Sequence, residues 1–175
     1  PGVYDVELVV TDTNNVSSDP DTMVVTVVDT TAPVADAGDD QVDVPYGDEV
    51  LLNGSLSSDN VAIVSWVWTF DDDGPVELEG ATVLYTFSAP GEYIITLNVS
   101  DAAGYSDIDW TLVTVVDDAP PVADAGSDQD VRVDSVCTLN GSGSSDNVGI
   151  VEYRWEFDDD GPVTLYGETA EYTFT

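Results

Sequence analysis

The chain has 175 residues, 36 of them Asp or Glu against two basic residues, which gives a formal net charge of -34 with no histidine and one cysteine. That field repels nucleic acid and anionic membrane and attracts divalent cations; the missing histidine excludes serine–histidine and cysteine–histidine catalysis and the common zinc sites. A hydrophobic content of 42%, with four Trp, eight Tyr and four Phe, excludes a chain held open by its own charge.

The chain opens on alternating residues from Val3 and ends this first piece on the β-branched run Thr22 to Val28. Both read as strands. The same pattern returns later: Pro1-Gly2-Val3-Tyr4 matches Pro90-Gly91-Glu92-Tyr93, Thr11-Asp12 matches Ser100-Asp101, and Thr26-Val27-Val28-Asp29 matches Thr114-Val115-Val116-Asp117. Residues 1–29 are therefore expected to be the last two strands of one repeat. No signal peptide and no apolar run of membrane-spanning length is visible, and an opening inside a strand pattern suggests a cut from something longer.

Residues 30–117 read as one whole repeat of about seven short strands. Trp66, Trp68 and Phe70 share one face of an aromatic strand, and Tyr93, Ile95, Leu97 and Val99 share one face of a later strand, with Ile94, Thr96 and Asn98 opposite. This is the alternation of half-buried strands, and no segment holds a helical period. The expected fold class is all-β, an immunoglobulin-like sandwich in tandem. Trp68 is expected at the sandwich centre, and Gly91 and Gly104 at turns that want a positive φ. The joints Asp29 to Pro33 and Asp117 to Pro121 are short and stiffened by proline.

Residues 118–175 repeat the front two-thirds of that unit. Pro33 to Gly38 returns as Pro121 to Gly126, Leu52-Asn53-Gly54-Ser55 as Leu139-Asn140-Gly141-Ser142, and Trp68 to Pro75 as Trp155 to Pro162. The order and near-constant spacing establish an internal repeat of about 88 residues. Trp155 is expected to take the place of Trp68, and Cys137, aligned with Val50, to be a small core hydrophobe. The whole chain spans about two periods in shifted register. It is either a window in a long array or the unit of a filament whose first two strands complete the sandwich of a neighbouring copy.

Two acidic loops recur. One is Ser58-Asp59-Asn60, matched by Ser145-Asp146-Asn147; the other is Asp71-Asp72-Asp73, matched by Asp158-Asp159-Asp160. Mixed Asp, Asn, Ser and backbone oxygens suit a hard cation such as Ca²⁺. A hydrated, salt-adapted surface is the alternative reading of the same residues. Because the loops recur in every repeat, they do not read as a catalytic carboxylate pair, and the chain is expected not to be an enzyme. Asn-x-Ser at Asn15, Asn53, Asn98 and Asn140 marks candidate glycosylation sites. Arg154 between Glu152 and Glu156, and Arg132 near Asp130 and Asp134, suggest weak surface ion pairs.

The motifs Ala35 to Gly38, Leu52 to Asp59, Trp66 to Gly74 and Gly91 to Gly104 together resemble the PKD domain, an immunoglobulin-like module. The departure is Asp72-Asp73, where many members carry Gly-Asp; it is expected only to add charge. The resemblance implies a secreted or cell-surface β-sandwich, and tandem, acidic, lysine-free copies look most like archaeal surface-layer or filament proteins. It also implies calcium held between the joint and the Ser-x-Asp loop, which points to Asp29, Asp59, Asp117 and Asp146, with Asp71 and Asp158 as further candidates. The expected function is a structural repeat of an extracellular filament, sheath, layer or stalk, with copies of itself or neighbouring repeats and covalent glycans as partners. The alternative is a non-catalytic spacer or binding module of a secreted hydrolase or adhesin.

Overall fold

A computed structural model describes residues 1–175, which form two compact units, Pro1–Val116 and Asp117–Thr175. The first unit begins with an antiparallel hairpin of β1 (Gly2–Leu8) and β2 (Asp21–Val27), which pair only with each other. Tyr4 lies opposite Val25, Val6 opposite Met23 and Leu8 opposite Asp21. Their connection is closed by Asp12, whose Oδ1 accepts the N–H groups of Asn14 and Val16 at 2.8 and 2.9 Å. The bonds from Val16 and then Asn14 hold the Asp12 carboxyl below the usual carboxylate range. The hairpin leaves its apolar side chains in water, with Leu8 61%, Val10 58% and Met23 60% exposed.

The rest of this unit is a seven-stranded sandwich. Its strands are β3 (Gln41–Pro45), β4 (Val50–Asn53), β5 (Ile63–Asp71), β6 (Pro75–Glu79), β7 (Thr82–Tyr85), β8 (Gly91–Asp101) and β9 (Ser106–Val116). One sheet runs β3-β9-β8-β5-β6, with β3 parallel to β9 and the other pairs antiparallel; β4 and β7 form the second sheet. The alternation read in the sequence sets the core. Val50 and Leu52 of β4 face Trp68 and Phe70 of β5, Ile95, Leu97 and Val99 of β8, and Val113 and Val115 of β9.

Trp68 is completely buried and its indole N–H donates to the Gly80 carbonyl at 2.9 Å. Gly54 explains how so large a ring fits: a Cβ there would lie 2.7 Å from Leu97 Cδ2 and 3.1 Å from Trp68 Cζ2. Gly104 has the expected positive φ of 93°. Gly91 does not; it is the first residue of strand β8, extended rather than in a left-handed turn.

The Asp71-Asp72-Asp73 turn does more than add charge, contrary to the sequence expectation. Asp73 takes φ 55°, a left-handed conformation that Asp tolerates better than most residues. Asp72 accepts the Tyr85 hydroxyl and the Ser88 N–H, each at 2.9 Å, as well as the Ser88 hydroxyl. Burial pushes the Asp72 carboxyl up, but these bonds outweigh it and hold the group below the usual range. Burial and then the Asp72 contact raise Tyr85 in return. Phe70, Tyr85, Phe87 and Tyr93 pack beside this lock, with Phe87 and Tyr93 stacked at 4.1 Å.

The second unit contains β10 (Val136–Asn140), β11 (Arg154–Asp158), β12 (Pro162–Tyr166) and β13 (Thr169–Thr173), paired as β10–β13 and β11–β12. These are the counterparts of β4 to β7. The bridge between Val122 and Ser145 repeats that between Val34 and Ser58. Asp159 accepts the Tyr172 hydroxyl at 3.0 Å and the Thr175 N–H at 3.2 Å, and Asp160 takes φ 54°. Cys137 is buried at 5% exposure, as its match to Val50 requires. Trp155 keeps the indole bond, to Gly167 at 3.0 Å, but stays only half-buried. Residues 117–175 hold counterparts of β4 to β7 only, and the strands that bury Trp68, β8 and β9, have no equivalents among them.

Candidate cation site

Three loops of the first unit meet where the hairpin joins the sandwich. Asp29 follows β2, Asp59 lies in the loop before β5, and Asp101 closes β8. One carboxylate oxygen from each lies within 4.8 Å of the other two.

Local backbone bonds fix each carboxylate. Asp59 Oδ2 accepts the N–H groups of Val61 and Ala62, both at 2.8 Å, and Asp101 Oδ1 accepts the Tyr105 N–H at 2.8 Å. Asp29 Oδ1 accepts the Thr31 N–H at 3.1 Å and the Asn60 amide at 3.2 Å. These bonds occupy one oxygen of each of Asp59 and Asp101 and leave the other free. Asp59 Oδ1 and Asp101 Oδ2 are buried and have no hydrogen-bond partner, and Asp101 as a whole is only 4% exposed.

Buried, unpaired carboxylate oxygens are expensive to hold. Charges this close repel by on the order of a few kcal/mol at the effective dielectric of a protein surface, and the first unit contains no Lys, Arg or His to neutralise them. A hard divalent cation accepts carboxylate oxygens and removes both costs. The donor set fits such an ion: three oxygens converging, all from Asp, with Asn60 beside them.

Of the sequence candidates, the fold brings Asp29 and Asp59 together. Asp117 and Asp146 repeat their local geometry in the second unit: Asp117 Oδ1 accepts the Ala119 N–H at 3.2 Å, and Asp146 Oδ2 accepts the N–H groups of Val148 and Gly149 at 3.0 and 2.7 Å. Asp71 and Asp158 sit elsewhere, at the ends of β5 and β11. They accept the N–H groups of Gly74 and Gly161 across the following turns at 3.4 and 3.2 Å, outside the three-carboxylate group. Sequence reasoning missed Asp101. The signal was the recurrence of Thr11-Asp12 as Ser100-Asp101, which marked the repeat but not a ligand.

The four sequon asparagines are all exposed. Asn98 projects from the outer face of β8, Asn15 sits in the hairpin connection at φ 64°, and the side chains of Asn53 and Asn140 accept the N–H groups of Ser55 and Ser142 at 3.1 and 3.0 Å. Arg154 pairs with Glu156 at 3.4 Å, with both side chains more than half exposed.

Comparison with known proteins supplies the context. The PKD domain family model matches residues 30–116 and again 118–175. The mouse dyslexia-associated protein KIAA0319 homolog is 35% identical over 167 residues, 89% of this chain and 15% of that protein. Human dyslexia-associated protein KIAA0319 is 33% identical over 171 residues, 89% of this chain and 16% of that protein. The mouse KIAA0319-like protein is 34% identical over 181 aligned residues, 98% of this chain and 17% of that protein. The chain thus spans about a sixth of the length of these relatives. A solution structure of the PKD domain from KIAA 1837 protein aligns at 29% identity and TM-score 0.42, covering 54% of this chain and 97% of that one. These relatives are mammalian proteins, and the expected likeness to an archaeal surface layer is not shown by them. The chain belongs to the PKD-domain family, as non-catalytic β-sandwich repeats of an extracellular or cell-surface kind.

Proposed function

We propose that the chain is an adhesion or binding module of a cell-surface protein, in which calcium fixes the joint between the hairpin and the complete repeat. The observation that carries this reading is the pair of buried, partnerless oxygens of Asp59 and Asp101, two of the three aspartates that converge with Asp29. A module that presents ligands away from a surface works through the angle at its joints. The base of the hairpin at Val27, Val28 and Asp29 lines a shared cleft with Val61, Ala62, Ala102 and Ala103 of the repeat loops. A cation shared by Asp29, Asp59 and Asp101 locks that angle, and its removal restores the repulsion. Exposed Asn53 and Asn98 leave the outer strand faces open to glycans, and the partners of the module are neighbouring repeats or other surface molecules.

Thermal unfolding in calcium, compared with sodium chloride of matched ionic strength, tests the reading. Binding at about 100 times Kd adds about 2.7 kcal/mol, which raises the midpoint of a domain this size by roughly 10–20 °C. Asp101→Asn should remove most of that rise. Equal midpoints in calcium and matched sodium would leave a general acidic surface as the explanation.

A further inference from the structure

Two asparagines precede a glycine, Asn53 at the end of β4 and Asn140 at the end of β10. Asn-Gly is the dipeptide most open to attack by its own backbone, because glycine has no side chain to shield its amide nitrogen. We propose that Asn53-Gly54 is a gated modification site: folding suppresses conversion of Asn53 to aspartate and isoaspartate, and opening of the β4–β7 pair releases it.

The structure demands both members of this labile pair. A Cβ on residue 54 would lie 2.7 Å from Leu97 Cδ2, 3.1 Å from Trp68 Cζ2 and 3.3 Å from Trp66 Cδ1, so the core admits only glycine. Asn53 Oδ1 accepts the Ser55 N–H at 3.1 Å, a side-chain turn that Asn and Asp make best. Packing and turn chemistry together therefore place a chemically weak bond at the edge of the core. The second unit repeats the arrangement. Asn140 Oδ1 accepts the Ser142 N–H at 3.0 Å, and a Cβ on Gly141 would lie 3.2 Å from both Trp155 Cζ2 and Tyr153 Cδ1.

The reaction starts at the Gly54 nitrogen. It gives its proton to hydroxide and bonds to Asn53 Cγ; the Cγ–Nδ2 bond breaks, and ammonia leaves with a proton taken from water. Water then opens the five-membered imide. Opening at Cγ gives aspartate. Opening at the backbone carbonyl carbon gives isoaspartate, with one extra methylene in the main chain.

The fold blocks the first step. The Gly54 N–H donates to the Ala81 carbonyl at 2.8 Å, so it is neither open to hydroxide nor free to turn toward Cγ. Asn53 itself is held in the ladder opposite Thr82. The two products have different consequences. Aspartate keeps an oxygen for the Ser55 N–H at a position that is already exposed. Isoaspartate lengthens the chain between Leu52 and Gly54, both buried, and so displaces one of them from the core.

Ageing of the unglycosylated 175-residue chain in mildly alkaline buffer tests the proposal. Peptide mass spectrometry follows the one-dalton gain at Asn53 and separates the two products. The native rate should be at least about tenfold below the rate in denaturing urea. Urea below the unfolding midpoint should raise the rate in proportion to hydrogen exchange at the Gly54 amide, because both reactions need the same N–H released. Asn53→Gln, whose longer side chain closes a ring far more slowly, should lose the mass gain. Asn53→Asp should melt with the wild type, while the isoaspartyl fraction isolated after ageing should melt at least about 4 °C lower. Equal native and denatured rates overturn the proposal, as does a native rate that ignores Gly54 exchange. An isoaspartyl fraction that melts with the wild type overturns the link between the site and the core.

Discussion

The complete repeat and unit 2 build the same local structures from nearly the same residues, yet only one of them has a core. Phe70, Tyr85 and Phe87 pack with centroids at 4.9, 5.6 and 5.1 Å, and Phe157, Tyr172 and Phe174 pack at 4.8, 5.2 and 5.0 Å. The tyrosine–aspartate lock recurs as well. Trp68, however, is completely buried and Trp155 is not. The turns and strand pairs β4–β7 and β5–β6 therefore need only their own residues, while burial of the central tryptophan needs β8 and β9.

The largest expected contrast is at those tryptophans. Trp68→Ala should cost about 3–5 kcal/mol, enough to unfold a repeat of this size. Trp155→Ala should cost under about 2 kcal/mol, because less of the ring has left water. Urea unfolding followed by far-ultraviolet circular dichroism, with peptide-resolved hydrogen exchange to separate the units, measures both. Equal costs would mean that unit 2 buries its tryptophan in solution.

A smaller contrast is expected at the paired glycines. Gly54→Ala forces a methyl into Leu97 and should cost about 1–3 kcal/mol by overpacking. Gly141→Ala meets no such leucine within its own unit and should cost clearly less in the dilute chain. The same unfolding curves decide this, and an equal penalty at both sites would put the strain on the tryptophans instead.

The smallest effect is one of pH. Asp72 titrates below the usual carboxylate value, so it stabilises the fold above the unfolded value near 4 and loses that contribution as pH falls through its lower folded value. Asp72→Asn should cost about 1 kcal/mol at neutral pH, discounted for the partial exposure of the group, and nothing in strong acid. Taking the difference between variant and wild type cancels the relief of general carboxylate repulsion. A pH-independent difference would assign the cost to geometry rather than charge.

Much of this was legible in the residues. Period-two alternation at Trp66 to Phe70 and Tyr93 to Val99 foretold which side chains enter the core, and the match of Cys137 to Val50 foretold a buried thiol, because strand alternation is a property of adjacent residues. The Gly91 expectation failed because a glycine before a strand can be extended as well as turned. The roles of Asp72 and Asp73 escaped notice because a run of three aspartates looks the same whether it is solvated or hydrogen-bonded.

Composition, repeat length and motif order are local or periodic quantities, and by themselves they determined the all-β class and the tandem organisation. Only tertiary structure decided that Asp101 joins Asp29 and Asp59, and that Gly54 exists for Leu97. Each depends on segments tens of residues apart meeting across two sheets, and the distance at which they meet is set by packing that no single stretch of sequence contains.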